Sequence, residues 1–143
     1  MGGLIRAVVF DFGGVLTRFS PFTTIAELGA EAGVPGQEVV ELLLGSYDED
    51  TDHPFHQMER GEISAVVWFA RATEDLAARG IELDLAKVGQ LFTSLGLHDV
   101  VVERVRALRS EGYKTAILTN NIREAGPTWR SMLDVDALFD VVV

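Results

Sequence analysis

Apolar residues recur along this chain in two rhythms. Ile5, Ala7, Val8, Val9 and Phe10 form a nearly unbroken run, and Lys114–Leu118 and Leu138–Val143 carry two more. Short continuous runs of this kind predict strands covered on both faces of a parallel sheet. Elsewhere the apolar positions fall three and four apart, the helical rhythm. Pro21 suits a first helical turn with Ser20 as its cap, and that helix runs to about Ala32 with Phe22, Ile25 and Leu28 on one face and Gly33 as its stop. Pro35 opens another, carrying Val39, Val40, Leu42 and Leu43 up to Gly45. After Tyr47 comes an acidic, irregular stretch to Pro54.

A long helix is predicted from Ser64 to Arg79, ended by Gly80 in the left-handed position common at helix stops. The next starts from Asp84 as cap and takes Leu85, Val88, Leu91, Phe92 and Leu95 to Gly96. From Asp99, Val101, Val105 and Leu108 share a face until Gly112. Gly126-Pro127 opens a short helix through Trp129 and Leu133. Strand, crossover helix, parallel strand is the right-handed α/β unit. The expected organisation is an α/β core from residues 1–16 and 97–143, with 17–96 as a helical insertion.

A length of 143 residues, 48% of them hydrophobic, suits one domain or a small core with an insertion. No apolar run approaches the length of a membrane span and no signal-peptide pattern opens the chain, so the expectation is a cytoplasmic protein. Zero cysteines exclude disulfides and thiolate metal sites. A net charge of −10 argues against nucleic acid or an anionic membrane as partner. It also means that an anionic small-molecule substrate needs a local cation.

The chemistry gathers at the ends of the first two runs. Asp11 closes the first, and Gly13 and Gly14 follow almost at once. Carboxyl ends of strands are where open α/β sheets bind ligands, and glycines let backbone approach a ligand closely. The plainer reading is an Asp opening a turn before Gly-Gly. The second run ends in Thr119 and Asn120, again small polar groups at a strand tip.

D-F-G-G-V-L-T (Asp11–Thr17) and I-L-T-N-N (Ile117–Asn121) resemble motifs I and II of the haloacid dehalogenase-like (HAD) superfamily. The resemblance is nearest to the branch of the epoxide-hydrolase N-terminal phosphatase and the N-terminal domain of acyl-CoA dehydrogenase family member ten. H-P-F-H-Q-M-E-R-G-E-I-S (His53–Ser64) and the ending L-F-D-V-V-V also resemble that branch, and the likeness spans the whole chain. It implies a HAD-like Rossmannoid core with an inserted helical cap that closes over the active site. It implies a Mg2+-dependent phosphatase acting on a small phosphorylated metabolite. Asp11 would be the nucleophile and, with the Gly13 carbonyl, a metal ligand. Thr119 would bind the transferring phosphoryl group, with Gly14, Asn120 and Asn121 around the substrate.

This chain also departs from the pattern. Family phosphatases carry a second Asp two residues after the nucleophile, as general acid and base; here Gly13 stands there. Losing such a group costs on the order of 10²–10⁴ in rate. Dehalogenating relatives lack that Asp too, since halide leaves without a proton, but usually carry an aromatic residue in its place. The family's motif III lysine and acidic motif IV lie beyond a third strand, and the sequence ends at Val143. The expectation is therefore a truncated form, poor as a catalyst alone, or a chain that borrows a partner's surface, a homodimer included. Ile5–Phe10 would then lie at an edge of the sheet. The rival functions are a 2-haloacid dehalogenase-type hydrolase using the same Asp11 and a non-catalytic HAD-like interaction module.

Other patterns are weaker. Asp48, Asp50, Asp52 and Glu59 match positions of a calcium-binding loop, but His53 stands where that loop requires Gly. His53 and His56 lack a third ligand placed by spacing. Trp68 and Phe69 read as packing residues of their helix.

Overall fold

The structure, a computed structural model, describes residues 5–18, 21–46 and 48–143. Ser20, expected as a helix cap, and Tyr47 lie outside the described residues. Strand β1 spans Ala7–Phe10. The five-residue turn Phe12–Leu16 follows it, and the chain then leaves the sheet.

Residues 21–94, joined by Ile122–Ala125, form one compact helical unit. Its helices are α1 (Pro21–Glu31), α2 (Gly36–Leu44), α3 (Pro54–Glu59), α4 (Ala65–Ala78) and α5 (Leu85–Leu91). Ile25, Leu28, Val39, Leu43, Trp68, Leu76 and Val88 bury together as its core, so most of the predicted stripes face inward. Phe22 departs from its stripe and is exposed. Ser64 caps α4 by accepting from the Val67 amide, and Gly80 ends it at φ +67°. Asp84 caps α5 through the Ala86 and Lys87 amides. That helix stops at Leu91, short of the predicted Gly96, and Leu95 and Gly96 belong to the other unit. Helix α3 falls in a stretch whose helical character six residues of mixed polarity do not announce.

The second unit comprises residues 5–18, Leu95–Asn121 and Gly126–Val143. The outgoing and returning chains pair inside it: the Arg18 amide donates to the Gly96 carbonyl at 2.7 Å and the His98 amide to the Leu16 carbonyl at 2.8 Å. Helix α6 (Asp99–Ser110) then leads into β2 (Lys114–Ile117), and α7 (Gly126–Arg130) and α8 (Val135–Leu138) lead to β3 (Val141–Val142). The third strand is shorter than the predicted Leu138–Val143: Asp134 caps α8 through the Ala137 amide, and Leu138 and Phe139 are buried as packing residues instead.

The parallel sheet has the order β1-β2-β3, with Ala7 opposite Lys114, Phe10 opposite Ile117 and Ile117 opposite Val142. At the far end of the strands from Asp11, Asp140 ties β2 to β3. Its carboxylate accepts from the Thr115 amide (3.0 Å), Arg109 (2.9 Å) and Lys114 (3.2 Å). Those donors, the Thr115 amide first, hold it below the usual carboxylate range. The first strand is patterned for burial on both faces, and its place is the sheet edge that the sequence also leads one to expect. Among the described residues β1 is an edge, and Val9 is 59% exposed. No helix among the described residues is long and apolar enough to cross a membrane.

Candidate active site

The site is built at the C-terminal ends of β1 and β2. Parallel pairing brings these ends to one side of the sheet: the Leu118 amide donates to the Phe10 carbonyl at 2.9 Å. Asp11 and Thr119, the next residue along each strand, therefore leave the sheet at the same edge.

Asp11 is extended (φ −73°, ψ 158°) and exposed, and its Oδ1 accepts from the Phe12 amide at 2.6 Å. One carboxylate oxygen is thus engaged by the turn. Gly13 (φ −68°, ψ 123°) and Gly14 (φ +73°) break the helical path inside the turn. At Gly14 the left-handed conformation suits glycine, because a Cβ there would crowd the following carbonyl. Phe12 and Leu16, both fully buried, anchor the turn beneath the two glycines. Thr17, also fully buried, closes it by donating its amide (3.0 Å) and hydroxyl (3.3 Å) to the Phe12 carbonyl.

On the neighbouring strand, the Thr119 amide donates to the Val143 carbonyl at 2.9 Å, so β3 holds its backbone. Asn121 Nδ2 donates to Thr119 Oγ1 at 3.2 Å. With a donor already on the oxygen, the hydroxyl proton is free to point at an external acceptor. Asn120 and Asn121 are exposed beside it. Asp11, Gly13, Gly14, Thr119, Asn120 and Asn121 thus all fall on two adjacent loops at one end of the sheet. The sequence pattern of a small polar pair at a strand tip singles out Thr119. Nothing in it signals that Asn121 orients that hydroxyl, or that Thr17 closes the Asp11 turn.

The turn Phe12–Leu16 that follows Asp11 adds no side-chain nitrogen or sulfur, so the ligands it offers are the Asp11 carboxylate and backbone carbonyls. This suits a hard cation such as magnesium, which keeps several waters and takes one or two carboxylates. Asp11 and the Gly13 carbonyl are the protein oxygens that would hold it, and the ion would neutralise charge on a transferring group. Among the described residues no cluster of three or more His, Asp or Glu side chains could hold a metal.

The two histidines have another task. The Phe55 amide donates to His53 Nδ1 at 3.1 Å, and His53 Nε2 lies 3.1 Å from the Leu42 carbonyl. His56 Nδ1 accepts from the Thr51 amide at 2.9 Å. Both rings pin the acidic loop and the start of α3. Burial, helped by His56, holds His53 below the ordinary histidine value against the opposing pull of the Leu42 carbonyl and Asp75. Asp50 pairs with Arg60 rather than standing in a calcium-binding array. Trp68 is buried in the helical unit, donates its indole N–H to the Leu43 carbonyl at 3.1 Å and meets Phe55, Phe69 and Phe92 edge-on. It is packing, as its helical spacing suggests.

A family model described as haloacid dehalogenase-like hydrolase matches residues 5–143. No curated protein matches the chain. Among solved structures, an L-2-haloacid dehalogenase from Xanthobacter autotrophicus with chloropropionic acid covalently bound shares its fold at a TM-score of 0.55. The two are 19% identical over 98% of this chain and 56% of that one. A HAD family enzyme from Bacteroides thetaiotaomicron, solved as a magnesium complex, gives a TM-score of 0.58 at 19% identity, over 96% of this chain and 66% of that one. The chain therefore spans 56% to 66% of the length of these two structures.

Proposed function

This chain belongs to the haloacid dehalogenase-like hydrolases, and from that premise we propose that it carries the nucleophile and anion-binding half of a phosphatase site. The observation that carries the reading is the shared strand-end edge: a carboxylate with one engaged oxygen on β1, and an oriented hydroxyl on β2. Asp11 would attack the phosphorus of a small phosphomonoester, forming the Asp11–phosphate bond as the bond to the leaving oxygen breaks. Water then hydrolyses the aspartyl-phosphate, releasing orthophosphate and restoring the carboxylate. Thr119 and Asn121 would hold the phosphoryl oxygens, and the Gly13–Gly14 backbone leaves room for the group to approach. Residues 21–94 supply the helical cap in this reading, and magnesium is the cofactor.

Gly13 shapes the choice of substrate. The turn Phe12–Leu16 holds no side chain able to protonate a leaving group, and the Thr17 hydroxyl is buried and spent on Phe12. Esters of acidic alcohols or phenols, whose oxygens leave without a proton, should therefore be cleaved best. The same feature supports a second reading, in which Asp11 displaces halide from a 2-haloacid, since halide needs no proton either.

The deciding experiment compares the chain with Asp11→Asn on p-nitrophenyl phosphate plus magnesium and on 2-chloropropionate without it. Magnesium-dependent phosphate release that falls by at least about 10³ in Asp11→Asn supports the phosphatase. Chloride release instead favours the dehalogenase. Phosphate release equal in both proteins rules out Asp11 as nucleophile.

A further inference from the structure

The turn that carries Asp11 grips its carboxylate through one backbone group, the Phe12 amide, and Gly13 and Gly14 beyond it add no side chain that could hold it. What is fixed is Phe12, and it is held from three directions. Its amide donates to Asp11 Oδ1 at 2.6 Å, and its carbonyl accepts from the Thr17 amide and hydroxyl. Its ring, wholly buried, meets the Trp129 ring at a centroid separation of 4.9 Å and a 49° tilt. Trp129 lies on α7, far along the chain, and is itself 5% exposed. The Arg130 guanidinium carbon stands 4.8 Å from the centre of the same indole.

We propose that Trp129 is a positioning residue for the nucleophile, setting the Asp11 carboxylate through the ring and amide of Phe12. The inference rests on the reading of Asp11 as nucleophile. A carboxylate must meet phosphorus within a narrow range of distance and direction, and a displacement of 1 Å can cost about 10²-fold in rate. Thr17 fixes the backbone on the carbonyl side of Phe12, which leaves rotation of the peptide about that anchor as the remaining freedom. The Trp129 ring removes it. Without the indole, Phe12 can shift into the vacated volume and carry its amide, and with it Asp11 Oδ1, away from the strand axis.

A buried tryptophan also supports the fold, so the test must separate the two roles. Trp129→Leu keeps apolar bulk without a ring, and Trp129→Phe restores a ring. Val135→Ala, at a buried position of α8 in the same unit, serves as a destabilised control. Hydrogen exchange at the Phe12 amide is measured at temperatures where all proteins are equally folded, together with kcat and KM. The expected result is faster exchange at Phe12 in Trp129→Leu alone, with kcat down about 10²-fold and KM within about twofold. Trp129→Phe should recover both. Exchange and kcat in Trp129→Leu that move no more than in Val135→Ala overturn the proposal. If the unaltered protein turns over neither phosphate esters nor haloacids, the functional reading fails. The exchange at Phe12 then still decides whether Trp129 sets the Asp11 turn.

Discussion

The Leu118 amide donates to the Phe10 carbonyl at 2.9 Å, the last rung between β1 and β2 before both strands give way to loops. Beyond that rung Asp11 follows β1 by one residue and Thr119 follows β2 by two, on adjacent parallel strands. A slip of the register by one residue would change which residue after β2 lies beside Asp11. The rung therefore matters to the chemistry as much as to the sheet.

Thr119→Ala removes the hydroxyl that Asn121 orients while leaving the backbone bond to Val143 in place. A hydrogen bond to a charged group contributes about 1.5–3 kcal/mol, so kcat/KM should fall about 10- to 100-fold. Thr119→Ser should stay within about threefold of the unaltered protein, because it keeps the hydroxyl. Steady-state kinetics on p-nitrophenyl phosphate check both. Equal activity in the alanine variant would remove Thr119 from the site.

In the helical unit, Gly36 sits where α2 crosses α1 at close range. A Cβ at this position would lie 2.7 Å from both the Ala26 Cβ and the Ala26 carbonyl oxygen. Glycine to alanine within a helix ordinarily stabilises by about 0.5–1 kcal/mol. Here the obstacle is backbone, which cannot swing aside, so Gly36→Ala should cost about 1–3 kcal/mol instead. For a chain of this size that lowers Tm by about 3–10 °C. Thermal melting by circular dichroism reads the sign directly.

His53 makes stability fall in mild acid. Its Nδ1 accepts the Phe55 amide, so the folded ring is neutral, and burial depresses its pKa, with the Leu42 carbonyl and Asp75 opposing and His56 acting in the same direction. The unfolded state then binds the extra proton, and stability rises with pH. The contribution is whole above the unfolded value of about 6.5 and is lost as pH drops below it. His53→Asn keeps a capping acceptor for Phe55 but cannot titrate. Its chemical-denaturation midpoint should fall less than that of the unaltered protein between pH 7 and pH 5. Glu59, which burial raises, titrates in both proteins and cancels in the difference. Parallel pH profiles would refute the assignment.

Much of this architecture is legible residue by residue. Ser64 and Asp84 announce helix starts because a short polar side chain can satisfy the free amides just ahead of it. Gly80 and Gly112 announce stops because their left-handed backbone is open to glycine. The runs ending at Asp11 and Thr119 announce strands, and the polar groups at their tips announce the site. Less legible were α3 and α8, of six and four residues, too short for a periodic signal. Leu138 and Phe139 look like strand residues by composition, yet the Asp134 cap folds them into a helical turn and its exit.

Local chemistry thus determined the order of elements, most of their ends and the identity of the strand-tip residues, since each depends on a few neighbours in the chain. Tertiary structure alone decided the rest. An apolar run does not say which residues it pairs with, so only the sheet sets Phe10 opposite Ile117 and Ile117 opposite Val142. Two distant aromatics carry no sign of each other until packing sets Trp129 against Phe12. The engaged oxygen of Asp11 and the oriented hydroxyl of Thr119 follow from hydrogen bonds to Phe12 and Asn121, whose geometry exists only once the turns have closed.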